Sequence, residues 1–439
     1  MSESDIEQAV YWLQQTQMES FYWWVTSLML LIHVGFLAYE MGASRLQNTL
    51  ASGIKNILGL AFVIPTFYFF GWAIYLGFPD GLIPRMDELS AGLPWSEYMG
   101  PNIQDNASGI FWGAFALFAA TTASIMSGAV LERIRLSAFI ILAIVLGSGV
   151  WILAASWGWH PEGWLTVNFG YYDAAVGGVI HVVAGFFALG VLINLGPRIG
   201  RFNADGSVNE IRGHSTPMSL IGLMLIIAGL FGFFAGCAIY IPGGQWETIY
   251  GTPTTLSAFM FNTVIGLAGG MIGAYALTRD PFWMMSGGLA GLFAIAAGIN
   301  IWYPPLAFAI AFAGGMIAPL TDKLLQKFGI DDSVGAVGVH GTAGLFGVLA
   351  VGVLASGYPG GAGPDISFMG QLIGVSVMLL LGFIPGFGLS WLLAKANLLR
   401  VPPQAEVDGL DKAEGSLQAY PGSSDSVPQA RTFVPPTTD

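Results

Sequence analysis

Asp173-Ala-Ala-Val-Gly-Gly-Val-Ile-His181 and Asp332-Ser-Val-Gly-Ala-Val-Gly-Val-His340 are one phrase written twice, with the same spacing from aspartate to histidine. The echo continues past each histidine, as Ala184-Gly185-Phe186-Phe187 and Ala343-Gly344-Leu345-Phe346. Each copy lies in an apolar stretch long enough to cross a bilayer. An ionisable side chain at mid-membrane is costly, so a histidine there marks a functional site. A matched pair in the two halves of one chain points to an internally repeated transporter or channel, with its site where the repeats meet.

Composition places the chain in a membrane. Of its 439 residues, 54% are hydrophobic and only 10% are charged, against about 25% charged in soluble domains. There is more apolar sequence than one soluble core can use, so the expected fold is an all-α polytopic membrane protein. The 61 glycines suit helices that pack closely in lipid through small residues. A lone cysteine, Cys237, excludes an intrachain disulfide and a cysteine metal cluster. No metal, cofactor or nucleic-acid partner is expected. No nucleophile–base pair or phosphate-binding loop is legible, so the chain does not read as an enzyme. The net charge of −12 reads as solvated surface. Residues 1–20 are acidic and polar and lack the basic start and short apolar core of a cleavable signal peptide.

Apolar runs of bilayer-spanning length fall at about 21–41, 54–77, 108–130, 136–157, 174–195, 216–239, 255–278, 283–301, 304–325, 336–356 and 368–396. They predict eleven transmembrane helices. Basic residues orient them. With the N-terminus outside, the cytoplasmic side collects Arg45, Lys55, Arg133, Arg135, Arg198, Arg201, Arg212, Arg279, Lys323, Lys327, Lys395, Arg400, Lys412 and Arg431, and only Arg85 faces outward. The chain then divides into an extracellular segment 1–20, a transporter domain 21–399 and a cytoplasmic tail 400–439, disordered from about 421 where Pro, Ser and Thr dominate. In this orientation Asp173 starts the fifth span at the outer surface and Asp332 starts the tenth at the inner one. Eight residues of helix rise about 12 Å, which carries each histidine toward the midplane. Spans 1–5 and 6–10 therefore form an inverted repeat, with one helix added.

A neutral imidazole pair offers donor and acceptor nitrogens without a fixed charge at the membrane centre. Lining a narrow apolar pore, His181 and His340 would hydrogen-bond a small polar molecule or relay a proton. Asp173 either caps the fifth span or helps a cation at the outer mouth; Asp332, beside Asp331, reads as a helix-start residue. Phe115 and Phe118, Trp157 and Trp159, and Phe233 and Phe234 gather where an outer mouth would be. An interfacial aromatic belt accounts for the tryptophans, whereas Phe118 and Phe233 fall deeper, as rings of an apolar gate would. A tryptophan face also holds a cation. His33 and Glu40 share a face of the first span and serve subunit contact or packing. His160 and His214 fall in loops and read as solvated.

Six segments carry a resemblance to a known family. They are FAATTASIMSGAVLERIR (118–135), DAAVGGVIH (173–181), LGPRIGRF (195–202), FGFFAGC (231–237), GGLAGLFAIAAG (287–298) and DDSVGAVGVHG (331–341). Together with RVPPQAEVDGLDKAEGSLQAY (400–420), they make residues 20–420 resemble the ammonium transporter, methylammonium permease and Rhesus protein family. The resemblance implies that His181 and His340 are twin pore histidines and that Asp173 supports an outer cation site. It implies that Phe118 and Phe233 are gate phenylalanines and, across a longer loop to Asp173, that Trp159 is a vestibule tryptophan. It further implies a homotrimer in the cell membrane, with one pore per subunit. Each pore would recruit ammonium outside, strip its proton and pass ammonia and proton separately. A PII-type nitrogen signal protein docking on the cytoplasmic face is likewise implied.

Departures from the family pattern cluster at the mouth. Ala114 stands where an aromatic residue is usual, with Phe115 adjacent. In the sixth span Leu230 replaces Trp, Phe234 replaces Asn, and Cys237 replaces a serine that would hydrogen-bond the recruited cation. A thiol is a weak hydrogen-bond partner, so the outer vestibule of Asp173, Trp159, Phe234 and Cys237 also suits a methylated or larger amine. A third reading is an ammonium receptor with little flux. The roughly 40 residues after Arg400 are too few for an output domain, so such a receptor would signal through a partner.

Overall fold

The structure is a computed structural model that describes residues 2–97, 99, 108–241, 243–355, 366–414 and 419–420. Among the described residues, eleven apolar helical segments form the bundle. They are α1 (Glu3–Ala43), α2 (Leu46–Gly77), α3 (Ser108–Ala129), α4 (Leu136–Gly158), α5 (Gly177–Leu195) and α6 (Thr216–Ala235), followed by α7 (Leu256–Thr278), α8 (Pro281–Ala296), α9 (Pro304–Lys327), α10 (Val337–Leu354) and α11 (Phe368–Lys395). Ten are long and apolar enough to cross a membrane; α8, with 16 residues, is shorter and passes into turns that end at Trp302. The chain is a multi-pass membrane protein.

Local sequence sets where these helices begin. Ser215, Thr255, Asp280 and Ser367 each accept a hydrogen bond from a backbone N–H in the first turn of α6, α7, α8 and α11, respectively. These side chains satisfy donors that a helix start leaves open. Pro217, Pro281 and Pro304 occupy first turns, where no N–H is needed. Segment 1–20 is not separate from the first span. Helix α1 starts at Glu3 behind a Ser2–Asp5 capping box and runs unbroken for 41 residues. At 1.5 Å per residue that is about 61 Å, twice a hydrocarbon core of about 30 Å.

Glycines bring the central helices together. A Cβ on Gly344 of α10 would meet the Gly177 carbonyl oxygen of α5 at 2.7 Å, and one on Gly185 of α5 would collide with the Gly341 backbone of α10. Helices α5 and α10 thus cross with their backbones in contact beside both histidines. The duplicated phrase gives duplicated structure. His181 and His340 each sit in a π-helical turn, Gly177–Val182 and Val337–Thr342, a local widening common at functional sites.

Basic residues segregate to one end of the bundle, here called the tail face. There Arg45 pairs with Glu132 at 2.7 Å, Arg198 with Asp331 at 2.8 Å, and Arg400 with Glu406 at 2.8 Å. Two short helices, Pro403–Asp408 and Leu410–Glu414, dock on this face. Asp411 accepts from the N–H groups of Leu50 and Ala51 at the start of α2, and Asn48 Oδ1 accepts from Leu410 N–H. The tail expected to be disordered from about 421 lies outside the described residues. At the far face Arg85 pairs with Asp80 at 2.6 Å and with Glu162.

His33 and Glu40 turn out to face the bundle interior, not an outer contact surface. Glu40 is fully buried, pairs with Lys55 at 3.3 Å and accepts from Ser127. His33 Nε2 lies 3.4 Å from Thr121 Oγ1. The solvated reading of His160 and His214 is corrected. Loop packing buries His160 against the Tyr75 ring, 4.9 Å between centroids, and its Nδ1 accepts from Glu162 N–H. Burial pushes its pKa down. His214 is half-buried, with Nδ1 3.0 Å from the Ser44 carbonyl oxygen and Nε2 3.2 Å from Tyr420 Oη.

Candidate pore site

The two histidines meet. His181 Nδ1 and His340 Nδ1 are 3.1 Å apart, with the ring planes inclined by 28°. A hydrogen bond between two Nδ1 atoms holds one proton, so one ring donates and the other accepts. The donor ring then has a bare Nε2 and the acceptor ring a protonated one. His181 is fully buried and its Nε2 has no hydrogen-bond partner among the described residues, while His340 is 5% exposed. The pair therefore keeps polar capacity directed into an apolar space.

Phe293 of α8 lies flat across both rings, with centroids 3.7 Å from His181 and 4.5 Å from His340. Nothing in the sequence singled it out, because one aromatic residue in a run such as GGLAGLFAIAAG is indistinguishable from packing. On the far-face side Phe233 of α6 is 5.9 Å from His181 and 4.7 Å from Phe118 of α3, the last two rings edge to face. Both phenylalanines are fully buried. They lie in edge contact with each other beside His181.

Trp159 ends α4 as its cap residue, fully buried, with its carbonyl oxygen accepting from Tyr75 Oη at 2.9 Å. Its indole Nε1–H finds no partner among the described residues. The Trp159 ring lies 5.4 Å from Phe115 and 5.9 Å from Phe118. Phe115 thus supplies aromatic surface beside the buried Ala114. Phe234 packs edge to face on Phe233 at 5.8 Å. Cys237, in the turn after α6, is fully buried and its thiol donates to the Phe233 carbonyl oxygen at 3.3 Å, so it is committed to the end of that helix. Leu230 is buried in the same helix.

Asp173 is a cap. Its carboxylate accepts from the N–H groups of Gly177 at 2.6 Å, Gly178 at 2.7 Å and Val179 at 3.0 Å, and it is fully buried. Asp332 does the same for α10, accepting from Gly335 and Val337 N–H. Each places a negative charge at the positive end of the helix that carries a histidine. Val176, just inside the first cap, takes a left-handed φ of +59°, strain that the Asp173 bonds hold in place.

Toward the tail face His340 borders a narrow cavity lined by Tyr39, Gly128, Ser286, Leu289 and Val334. Val334 also lines a larger cavity of about 300 Å³ that includes Arg198, Arg201, Asp280, Trp283 and Asp332. From far face to tail face the order is an aromatic cluster, the Phe118–Phe233 pair, two histidines and a polar chamber. Asp331, read from the sequence only as a helix-start neighbour, anchors that chamber. Its carboxylate takes two hydrogen bonds from the Arg198 guanidinium, at 2.8 and 2.9 Å, and lies 3.3 Å from Arg201.

Comparisons with known proteins show the family. The model of the Ammonium Transporter Family matches residues 20–420. The ammonium transporter Amt2 of Methanocaldococcus jannaschii is 33% identical over 405 residues, covering 90% of this chain and 89% of its own length. Amt2 of Archaeoglobus fulgidus is 30% identical over 421 residues, covering 90% of this chain and 86% of its own. A solved structure of a Sensor Amt Protein superposes with a TM-score of 0.78 at 27% identity, covering 92% of this chain and 99% of that one.

Proposed function

The chain belongs to the ammonium transporter family, a family of transporters and not of enzymes, and from that premise we propose that it carries ammonium through the twin-histidine path. Ammonium is recruited beside Trp159, where the fixed charge of Asp173 favours a cation. It gives up its proton before the Phe118–Phe233 gate, because a bare cation is expensive among apolar rings while neutral ammonia is cheap. Ammonia then passes the gate and finds in His181 and His340 the hydrogen-bond partners it left in water. The proton travels separately and rejoins ammonia in the polar chamber of the tail face. The observation that carries this reading is the 3.1 Å contact between the two Nδ1 atoms, roofed by Phe293 and capped by the gate rings.

Within this proposal the N-terminus is outside, the tail face is cytoplasmic and the eleven helices all cross the cell membrane. The chain works as a homotrimer, and a PII-type protein docks on the tail face. In proteoliposomes, ammonium should evoke an inward current that saturates. No ammonium current, together with one evoked by a quaternary amine, would replace ammonium by a larger cation as the substrate. Likeness to the sensor structure favours one second reading, a receptor. Tight ammonium binding without measurable flux would establish it. Pull-down of a PII-type protein with ATP or ADP present tests the regulatory partner, and failure with both nucleotides removes it.

A further inference from the structure

Between α6 and α7 the chain folds a small antiparallel sheet over the far face, β1 (Ile239–Ile241), β2 (Gln245–Glu247) and β3 (Pro253–Thr254). Its register pairs Tyr240 with Trp246 and Trp246 with Thr254. The turn from β2 to β3 is tight. Thr248 N–H donates to the Thr252 carbonyl oxygen at 2.9 Å, Gly251 N–H donates back to Thr248 at 3.0 Å, and Gly251 takes a φ of +71°. That turn holds Tyr250 over the joint between α4 and α5.

The Tyr250 hydroxyl bridges the two helix ends on which the recruitment site stands. It donates to the carbonyl oxygen of Gly158, the last residue of α4, at 2.6 Å, and accepts from Asp173 N–H at 3.2 Å. Gly158 immediately precedes Trp159, and Asp173 caps the helix of His181. Burial pushes the Tyr250 phenol up from its ordinary value, so the hydroxyl stays a donor. Its ring lies 5.0 Å from that of Tyr172, inclined by 35°, a contact that phenylalanine would keep. The sheet is itself tied to α1, through Tyr240 Oη donating to Gln17 Oε1 at 3.2 Å and through Trp246 packed 4.5 Å from Phe21.

We propose that Tyr250 is a positioning residue for the outer cation site, its hydroxyl fixing the spacing between the Trp159 face and the Asp173 charge. The inference rests on the reading of Trp159 and Asp173 as the place where ammonium is recruited. Without the hydroxyl, a helix-end carbonyl and the cap residue's N–H both lose their partner, and the two walls of the site move independently. Recognition of the waiting cation weakens, while the gate and the histidines are untouched.

The experiment is an ammonium concentration series on proteoliposome currents, with the parent chain, Tyr250→Phe and Asp173→Asn reconstituted at matched size-exclusion profiles. For Tyr250→Phe the half-saturating concentration should rise roughly threefold to tenfold with the maximal current unchanged, the signature of lost ground-state binding. An unchanged half-saturation in Tyr250→Phe while Asp173→Asn is impaired overturns the role of Tyr250 and leaves the recruitment site standing. A lower maximal current at unchanged half-saturation overturns it also, since a structural defect gives that pattern. Parent-like behaviour of Asp173→Asn overturns the underlying recruitment site, and the inference with it.

Discussion

His181→Ala and His340→Ala should each lower ammonium flux roughly tenfold to a hundredfold while leaving the protein folded. The reasoning is one of unmet hydrogen bonds. Each ring is the other's only polar neighbour at 3.1 Å, among the hydrogen bonds of the described residues. Both are walled by Phe293, and His181 also by Phe233. Ammonia entering this space has lost its water. A missing partner there costs about 1–3 kcal/mol, and about 1.4 kcal/mol is a factor of ten in rate. Alanine also leaves the remaining imidazole without its partner. Folding should survive, because neither ring holds a backbone cap or an ion pair. Flux is measured as internal alkalinisation or current in proteoliposomes. Parent-like flux in both variants would sink the twin-histidine path.

The largest stability effect should come from Asp331→Asn, at the tail face. The carboxylate is fully buried and takes two guanidinium hydrogen bonds and one backbone N–H from Arg198, while the Asp331 carbonyl oxygen accepts from the buried Arg133. Burial alone would raise its pKa, but Arg198 and Arg133 outweigh burial and hold it well below the usual carboxylate range. Asparagine would leave buried guanidiniums facing a neutral amide. Breaking one side of such a cluster costs about 3–5 kcal/mol, so the thermal midpoint at neutral pH should fall by several degrees. Because the folded pKa is depressed, the stabilisation is fully present above the unfolded aspartate value of about 3.9 and fades as pH falls below it. The gap between parent and variant midpoints should be constant from about pH 8 to pH 5 and narrow below about pH 4. Equal midpoints at pH 7 would disprove the anchoring role.

What could be read in advance followed from contrast. A histidine in an apolar run is conspicuous, and its repetition at the same distance from an aspartate made His181, His340, Asp173 and Asp332 legible before any fold was known. Phe118 and Phe233 stood out by falling deeper than an interfacial aromatic belt, and the resemblance sharpened that reading. Phe293 and Tyr250 carry no local signal at all, because their roles depend on contacts between segments distant in the chain. The Asp331 cluster was hidden for the same reason, gathering arginines from the loops after α3 and α5. His160 was misread because loop residues are usually wet, whereas here the loop folds against Tyr75. The length of α1 was missed because hydropathy stops where the apolar run begins, while helix propensity does not. The Glu-, Gln- and Ala-containing segment before it is good helix former.

Under the proposed relay, the single proton between His181 and His340 gives the path a memory. Suppose a proton arrives at the bare Nε2 of the donor ring and another leaves from the protonated Nε2 of its partner. The shared proton must then jump from one Nδ1 to the other. Charge is restored, yet donor and acceptor have changed places, and the two rings now carry each other's tautomers. A second proton cannot follow in the same direction until both rings are back in their original tautomers. On that reading the pair behaves as a toggle with two orientations, and what looks like a passive hole acquires a cycle that has to be reset.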